Sequence, residues 1–192
     1  MTTTERPRRA DAERNVKRLL EAGAQVFAST GTALPLEEVA RVAGVGKGTL
    51  YRHFPTREHL LAALLAATFA DLADRAAHLR AELEPMQAYE AWLAEFDRMP
   101  AGYRGLRSVL VEALGDDASV IATACGPMKE ETARILEDAQ GAGMVREDIT
   151  ANDLLAVVAG LPEGLRRGAE AHPWLGVLID GTRTPASARS TR

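Results

Sequence analysis

The sequence predicts an all-α fold: an N-terminal three-helix helix-turn-helix domain over residues 1–55 and a C-terminal helical bundle over residues 56–192. Three observations predict it. Apolar residues recur at helical spacing through almost the whole chain, and no segment alternates as a half-buried strand would. Two short helical stretches near the N terminus are joined by a three-residue glycine-containing turn and braced by a longer helix ahead of them. Beyond Pro85 the pattern changes to amphipathic helices punctuated by Pro and Gly.

Val16, Leu19, Leu20, Ala24 and Phe27 make the apolar stripe of a first helix from about Asp11 to Ser29, with Gly31 as its stop. Leu36 to Ala43 forms the second, with Pro35 in its first turn, where a missing N–H costs nothing. Gly44, Val45 and Gly46 make the turn. Lys47 to Phe54 forms the third helix, ended by Pro55 because the residue before a proline is pushed out of helical geometry. A long fourth helix opens at Thr56 as N-cap and carries Leu60, Leu61, Leu64, Leu65 and Leu72 to about Leu83. Further helices are expected near 86–98, 102–115, 117–142, 151–169 and 173–182, the fourth of these capped by Thr150 with Asp153 and kinked at Pro162. Residues 141–150 read as a loop, and the polar tail from Thr182 as frayed.

With 46% hydrophobic and 26% charged residues in 192, the chain can bury a core, which excludes disorder over its whole length. Cys125 stands alone and cannot form an internal disulfide, and the start MTTTERPRRA lacks the apolar centre of a signal peptide. The longest mostly apolar run, Leu60 to Ala70, falls far short of the roughly 20 residues that cross a bilayer. A soluble cytoplasmic protein with no membrane partner is expected. Charge is unevenly spread: residues 1–60 hold ten Lys/Arg against seven Asp/Glu, a net +3, and the remainder carries −7. An anionic partner would therefore meet the N-terminal third.

At about 100° per residue, Leu50 and Phe54 share one face of the third helix and can pack with Phe27, Val39 and Val45. Gly48, Thr49, Tyr51 and Arg52 then point outward. A helix in the major groove needs side chains that donate to phosphates and base edges, and a glycine lets its backbone approach closely. Lys47, Thr49, Tyr51, Arg52 and His53 supply those donors around Gly48. Arg57 adds a cation beside the free N–H groups of the next helix, a combination suited to a phosphate. No carboxylate lies between Lys47 and Arg57.

The run from Leu36 to Leu61, LEEVARVAGVGKGTLYRHFPTREHLL, resembles the DNA-binding signature of TetR-type transcriptional repressors. The resemblance covers about 50 residues from the first helix to the start of the fourth; beyond it the chain is similar only in being helical. It implies a homodimer that sets two helix-turn-helix units in successive major grooves of a near-palindromic double-stranded DNA operator, and releases it when a small molecule enters the C-terminal domain. By position it assigns Lys47, Gly48, Thr49, Tyr51, Arg52 and His53 to DNA and Arg57 to a phosphate. The threonine with which many members begin the second helix is replaced by Pro35, followed by Glu37 and Glu38, so that backbone contact is not carried over and this helix reads as support. Arg6, Arg8 and Arg9 precede the first helix, as an arm on DNA or as a solvated terminus; the sequence leaves both open.

In the C-terminal region Met86, Tyr89, Trp92, Leu93 and Phe96 lie at helical spacing, followed by Met99, Tyr103, Leu106, Val109 and Leu110. Trp and Tyr offer flat apolar walls with one polar tip each. A small apolar effector is accordingly placed among Tyr89, Trp92, Phe96, Met99, Tyr103 and Leu106. The stretch from Asp153 to Gly168 carries Leu154, Leu155, Val157, Val158, Leu161 and Leu165 with Gly160, Gly164 and Gly168 at every fourth position. A helix apolar nearly all round in a small domain needs a partner, so Leu154, Val157, Val158, Leu161, Gly164 and Leu165 are assigned to a dimer seam, completed by Met128, Ala133, Leu136 and Ala139.

Enzyme readings fail on spacing. A phosphate loop would need glycine where Arg41 stands and Ser or Thr at Gly48, and a dinucleotide loop would put its third glycine at Thr49 with no strand before it. His53, His59, His78 and His172 show no metal-ligand spacing with each other or with Cys125. No catalytic residue, metal or cofactor is expected. The expected function is a ligand-responsive repressor; an activator of the same fold, and a helical small-molecule binding protein without a DNA role, stay open as alternatives.

Overall fold

The computed structural model describes residues 5–33, 35–99, 106–116, 118–161 and 173–185. Among them the secondary structure is helical throughout: α1 (Glu5–Thr30), a 3-10 turn (Gly31–Ala33), α2 (Leu36–Ala43), α3 (Lys47–His53), α4 (Arg57–Glu82), α5 (Pro85–Asp97), α6 (Leu106–Leu114), α7 (Val120–Ala124), α8 (Gly126–Gly141), α9 (Ala151–Gly160) and α10 (Trp174–Thr182). These elements fall in two compact units, divided within α4 between Leu65 and Ala66. No helix among the described residues is long and apolar enough to cross a membrane.

In the first unit α1 packs on α2 and α3. Its buried stripe is Leu19, Ala22, Gly23, Val26 and Phe27, so Ala24 is exposed, and Val16 and Leu20 are half-buried, where the sequence put all three on the stripe. The correction follows from the period: positions 19, 22, 23, 26 and 27 share one face, and position 24 lies about 100° away from 23. A side chain at Gly23 would meet Leu60 and Leu64 at 3.3–3.5 Å, so this glycine lets α4 close on α1. The first helix also begins earlier than expected, at Glu5, which puts positions 6, 8 and 9 inside α1 rather than ahead of it; their side chains lie outside the described residues.

Pro35 stands at the N-cap of α2, one position before the helix, with its carbonyl accepting from the N–H groups of Glu38 and Val39 at 3.1 and 3.3 Å. Gly44 closes α2 in the left-handed conformation, φ 62°. Its N–H donates to the Arg41 carbonyl and that of Val45 to Ala40, the paired bonds of a Schellman stop, which is why glycine is needed here.

In the second unit α5 packs on α8, α9 and α10, and α8 also packs on α7 and α9. Two expected helices differ. The single helix 117–142 is two, α7 and α8, broken at Cys125: Ser119 caps α7 by accepting from the Ile121 N–H, and Gly126-Pro127 opens α8, since proline fits a first turn and not an interior. The helix 151–169 ends at Gly160, with Leu161 extended at φ −62° and ψ 133°. Leu161 leaves the helical region because it precedes a proline, and positions 162–169 of the expected helix, the kink at Pro162 included, lie outside the described residues. The tail is not frayed at its start: Val145 and Arg183 form an isolated antiparallel bridge, with Arg146 N–H donating to Thr182 and Thr184 N–H to Met144, both at 3.0 Å. The Thr150–Asp153 cap is present as a reciprocal capping box.

Candidate functional site

Gly46 opens α3 with its carbonyl accepting from Thr49 and Leu50, and Phe54 closes it in non-helical geometry ahead of Pro55. Within this short helix burial alternates by face. Leu50 is 0% exposed, and Phe54 is buried with Phe27 and Val39, while Val45 is half-buried. Lys47, Gly48, Tyr51 and Arg52 are exposed, and Thr49 and His53 are half-exposed. Nothing lies within 4 Å of where a side chain on Gly48 would stand, so its backbone is open to close approach. Arg57 is exposed at the first position of α4. Thr56, just before it, turns its hydroxyl to the side chains of His59, 3.0 Å from Nδ1, and Glu58. Lys47, Arg52 and Arg57 are all exposed, so an outside anion can reach their charges.

One contact was not anticipated. The Tyr51 hydroxyl donates to Glu37 Oε1 on α2 at 2.8 Å. That bond holds the Glu37 carboxyl below the usual range, with help from its own backbone N–H and from Lys47, and pushes the Tyr51 phenol up. The second helix thus touches the exposed face of α3, beyond the supporting role expected of it. The fourteen-residue separation has no helical period, and only the turn geometry brings the two together.

The aromatic stripe of α5 is core. Tyr89, Trp92 and Phe96 are at most 1% exposed, and Met99 is buried. Their polar tips are satisfied inside the chain. The Tyr89 hydroxyl donates to Thr182 Oγ1 at 2.9 Å and Trp92 Nε1 to Thr132 Oγ1 at 3.0 Å, each threonine in turn donating to a carbonyl of its own helix. Burial also pushes the Tyr89 phenol up. Tyr103 and the Leu106 side chain lie outside the described residues. Beside the stripe, and missed in the sequence, Arg107 reaches the fully buried Asp97: its guanidinium donates to the Asp97 carboxylate at 3.3 Å and carbonyl at 2.6 Å, and to the Val158 carbonyl at 2.9 Å.

Of the seam residues, Leu154 and Val158 are buried within the single chain, as are Met128, Leu136 and Ala139, so these serve the protomer's own core. Leu161 and Ala133 are half-buried, Val157 is 48% exposed, and Gly164 and Leu165 lie outside the described residues. Trp174 and Val177 on α10 are 52% and 61% exposed, a pair three apart on one helix face that sequence reasoning did not single out. Cys125 is buried, its thiol pushed up by desolvation.

Two family models match the chain: residues 19–64 match the bacterial regulatory proteins of the TetR family, and residues 84–184 the C-terminal domain of SbtR-like transcriptional regulators. Among solved structures, a TetR transcriptional regulator from Streptomyces coelicolor is 33% identical, covering 89% of this chain and 99% of that one, with a TM-score of 0.53. Thermus thermophilus FadR, a TetR-family repressor in complex with lauroyl-CoA, shares the fold at 21% identity, covering 85% of this chain and 92% of that one, with a TM-score of 0.58. With an α3 that turns donors outward on a leucine anchor, an all-helical second unit, and both parts matched by models of one family, the chain belongs to the TetR family of transcriptional regulators, which are not enzymes.

Proposed function

We propose that the protein is a ligand-responsive repressor that binds a near-palindromic DNA operator as a homodimer. Residues 1–55 form the DNA-binding domain and residues 56–192 the ligand-binding and dimerisation domain. Lys47, Gly48, Thr49, Tyr51, Arg52 and His53 meet the major groove, and Arg57 a phosphate. The observation that carries the reading is the division of α3, where Leu50 is fully buried while Lys47, Tyr51 and Arg52 around it stay exposed. Gel-shift with the DNA adjoining its own gene tests it: Lys47→Ala or Arg52→Ala should each weaken binding by about 1–3 kcal/mol and leave the melting temperature nearly unchanged. A large loss of stability, or undiminished binding, would remove those side chains from the interface.

The effector is a small apolar molecule held against Tyr89, Trp92, Phe96, Met99, Tyr103 and Leu106. The Tyr89 and Trp92 tips already have partners and the rings are buried, so an occupant must part this core and then meets ring face and thioether, which favours hydrocarbon over a polar ligand. The dimer forms through α9 and the segment that follows it, with Val157 the described residue of that seam most exposed, and Trp174 and Val177 on α10 offer further exposed apolar side chains.

A further inference from the structure

We infer that Glu37 is a positioning residue of the DNA-binding face, an internal anion that engages Tyr51 in the place of a phosphate and thereby restrains binding to the DNA backbone. The inference rests on the DNA-binding reading of α3. It starts from the 2.8 Å bond between the Tyr51 hydroxyl and Glu37 Oε1, made between two exposed side chains on different helices. A phenol has one proton to donate. While that proton lies on the carboxylate it is withheld from a phosphate oxygen, and a phosphate that takes it must approach a second negative charge across the width of one hydroxyl.

The neighbouring groups sharpen the argument. Glu38, the next residue, is paired with Arg41 through bonds of 2.8 and 2.5 Å, so its charge is neutralised within α2. Glu37 has no such cation within ion-pair distance among the described residues. What stabilises it is the Tyr51 proton, its own backbone N–H, and the field of Lys47. The carboxylate therefore stays ionised at neutral pH, and it draws on the same two groups, Tyr51 and Lys47, that are to meet the phosphates. The bond also fixes the ring on the α2 side of α3, which orders the phenol before any DNA arrives.

Two opposing effects follow, and their sizes can be compared. Holding one aromatic side chain with only two rotatable bonds in place saves ordering entropy on binding, about twofold in affinity at the low end of what fixing a side chain costs. Against this stands the repulsion between carboxylate and phosphate, together with the competition for the proton. At about 6 Å in water-like surroundings the repulsion alone corresponds to roughly threefold in affinity. Repulsion and competition win, so removing the charge tightens binding.

The test is a double-mutant cycle with Glu37→Gln and Tyr51→Phe. Binding of a fluorescein-labelled random duplex of roughly 30 base pairs, long enough for two half-sites, is compared with that of the intergenic fragment beside its own gene at one salt concentration. Glu37→Gln is isosteric on an exposed helix position, so the melting temperature serves as a control for folding. The expected result is a three- to tenfold tightening on both duplexes, reduced in the Tyr51→Phe background to at most about threefold, the share that repulsion alone supplies. Unchanged or weaker binding by Glu37→Gln overturns the inference, and weakening confined to the intergenic fragment would instead make the carboxylate a base-reading acceptor. Lys47→Ala separates the two levels: if it loses no affinity on either duplex, the DNA reading of α3 fails and this inference with it, whereas a loss there with no effect at Glu37 sinks the inference alone.

Discussion

Leu50 and Tyr51 are adjacent in the chain and opposite in environment, and the difference decides what each can be used for. The same holds for Arg57 and Arg107. Arg57 is exposed, so neutralising it with Arg57→Gln should leave stability unchanged and flatten the salt dependence of DNA binding by about one phosphate contact, read as the slope of affinity against salt. Arg107 is nearly buried against a fully buried Asp97 and two backbone carbonyls. Arg107→Ala takes the cation away from that buried carboxylate, and urea unfolding should show a loss of about 3–5 kcal/mol. Trp92→Phe keeps most of the apolar volume and removes the donor to Thr132, so a smaller loss, about 1–2 kcal/mol, is expected by the same measurement. The outward donors of α3 were legible because a short helix with one leucine anchor leaves little choice of face. The Arg107–Asp97 pair was not, since two residues ten apart on different helices share no period that a sequence displays.

At the scale of elements, punctuation decided which boundaries could be read. The ends of α2, α3 and α4 fall where Gly44, Pro55 and Pro85 put them. Gly126-Pro127 is the same kind of signal, and overlooking it merges α7 with α8. Gly44 is the sharpest case of sequence dictating an element's end. A side chain there would sit at positive φ and 2.9 Å from the Arg18 guanidinium, so Gly44→Ala should lower stability by about 1 kcal/mol or more, visible in thermal unfolding. The capping box of α9 makes a pH prediction. Bonds from the Thr150 hydroxyl and N–H hold Asp153 below the usual carboxylate range, so its contribution is complete above the ordinary aspartate value and is lost as pH falls through its lowered one. Asp153→Asn should therefore lower the melting temperature at neutral pH and make little difference in strong acid.

For the molecule as a whole, the all-helical class and the family were both visible in the sequence, because helical period and the α2–α3 signature are local properties. Which apolar residues face a second protomer is not local. Leu154 and Val158 were assigned to a seam and are buried in their own chain, because a helix rich in leucine and valine looks the same whether its cover comes from the same polypeptide or another. Exposure separates the two, and for the proposed dimer the most exposed large apolar side chains described in the second unit are Val157, Trp174 and Val177. Val177→Glu should shift the protein toward monomer in sedimentation velocity and weaken operator binding in parallel, whereas a variant that stays dimeric would move the seam elsewhere.

The pairing of Val145 with Arg183 sets a floor on how short this polypeptide can be made from its carboxyl end. A stop codon after Pro185 keeps the Thr184-to-Met144 bond, the Arg183–Glu90 ion pair and the Thr182 acceptor of Tyr89. Moving the stop back to follow Asp180 deletes all three at once and leaves a phenol orphaned in the interior, so a ladder of such trimmed proteins should express well down to that step and degrade beyond it.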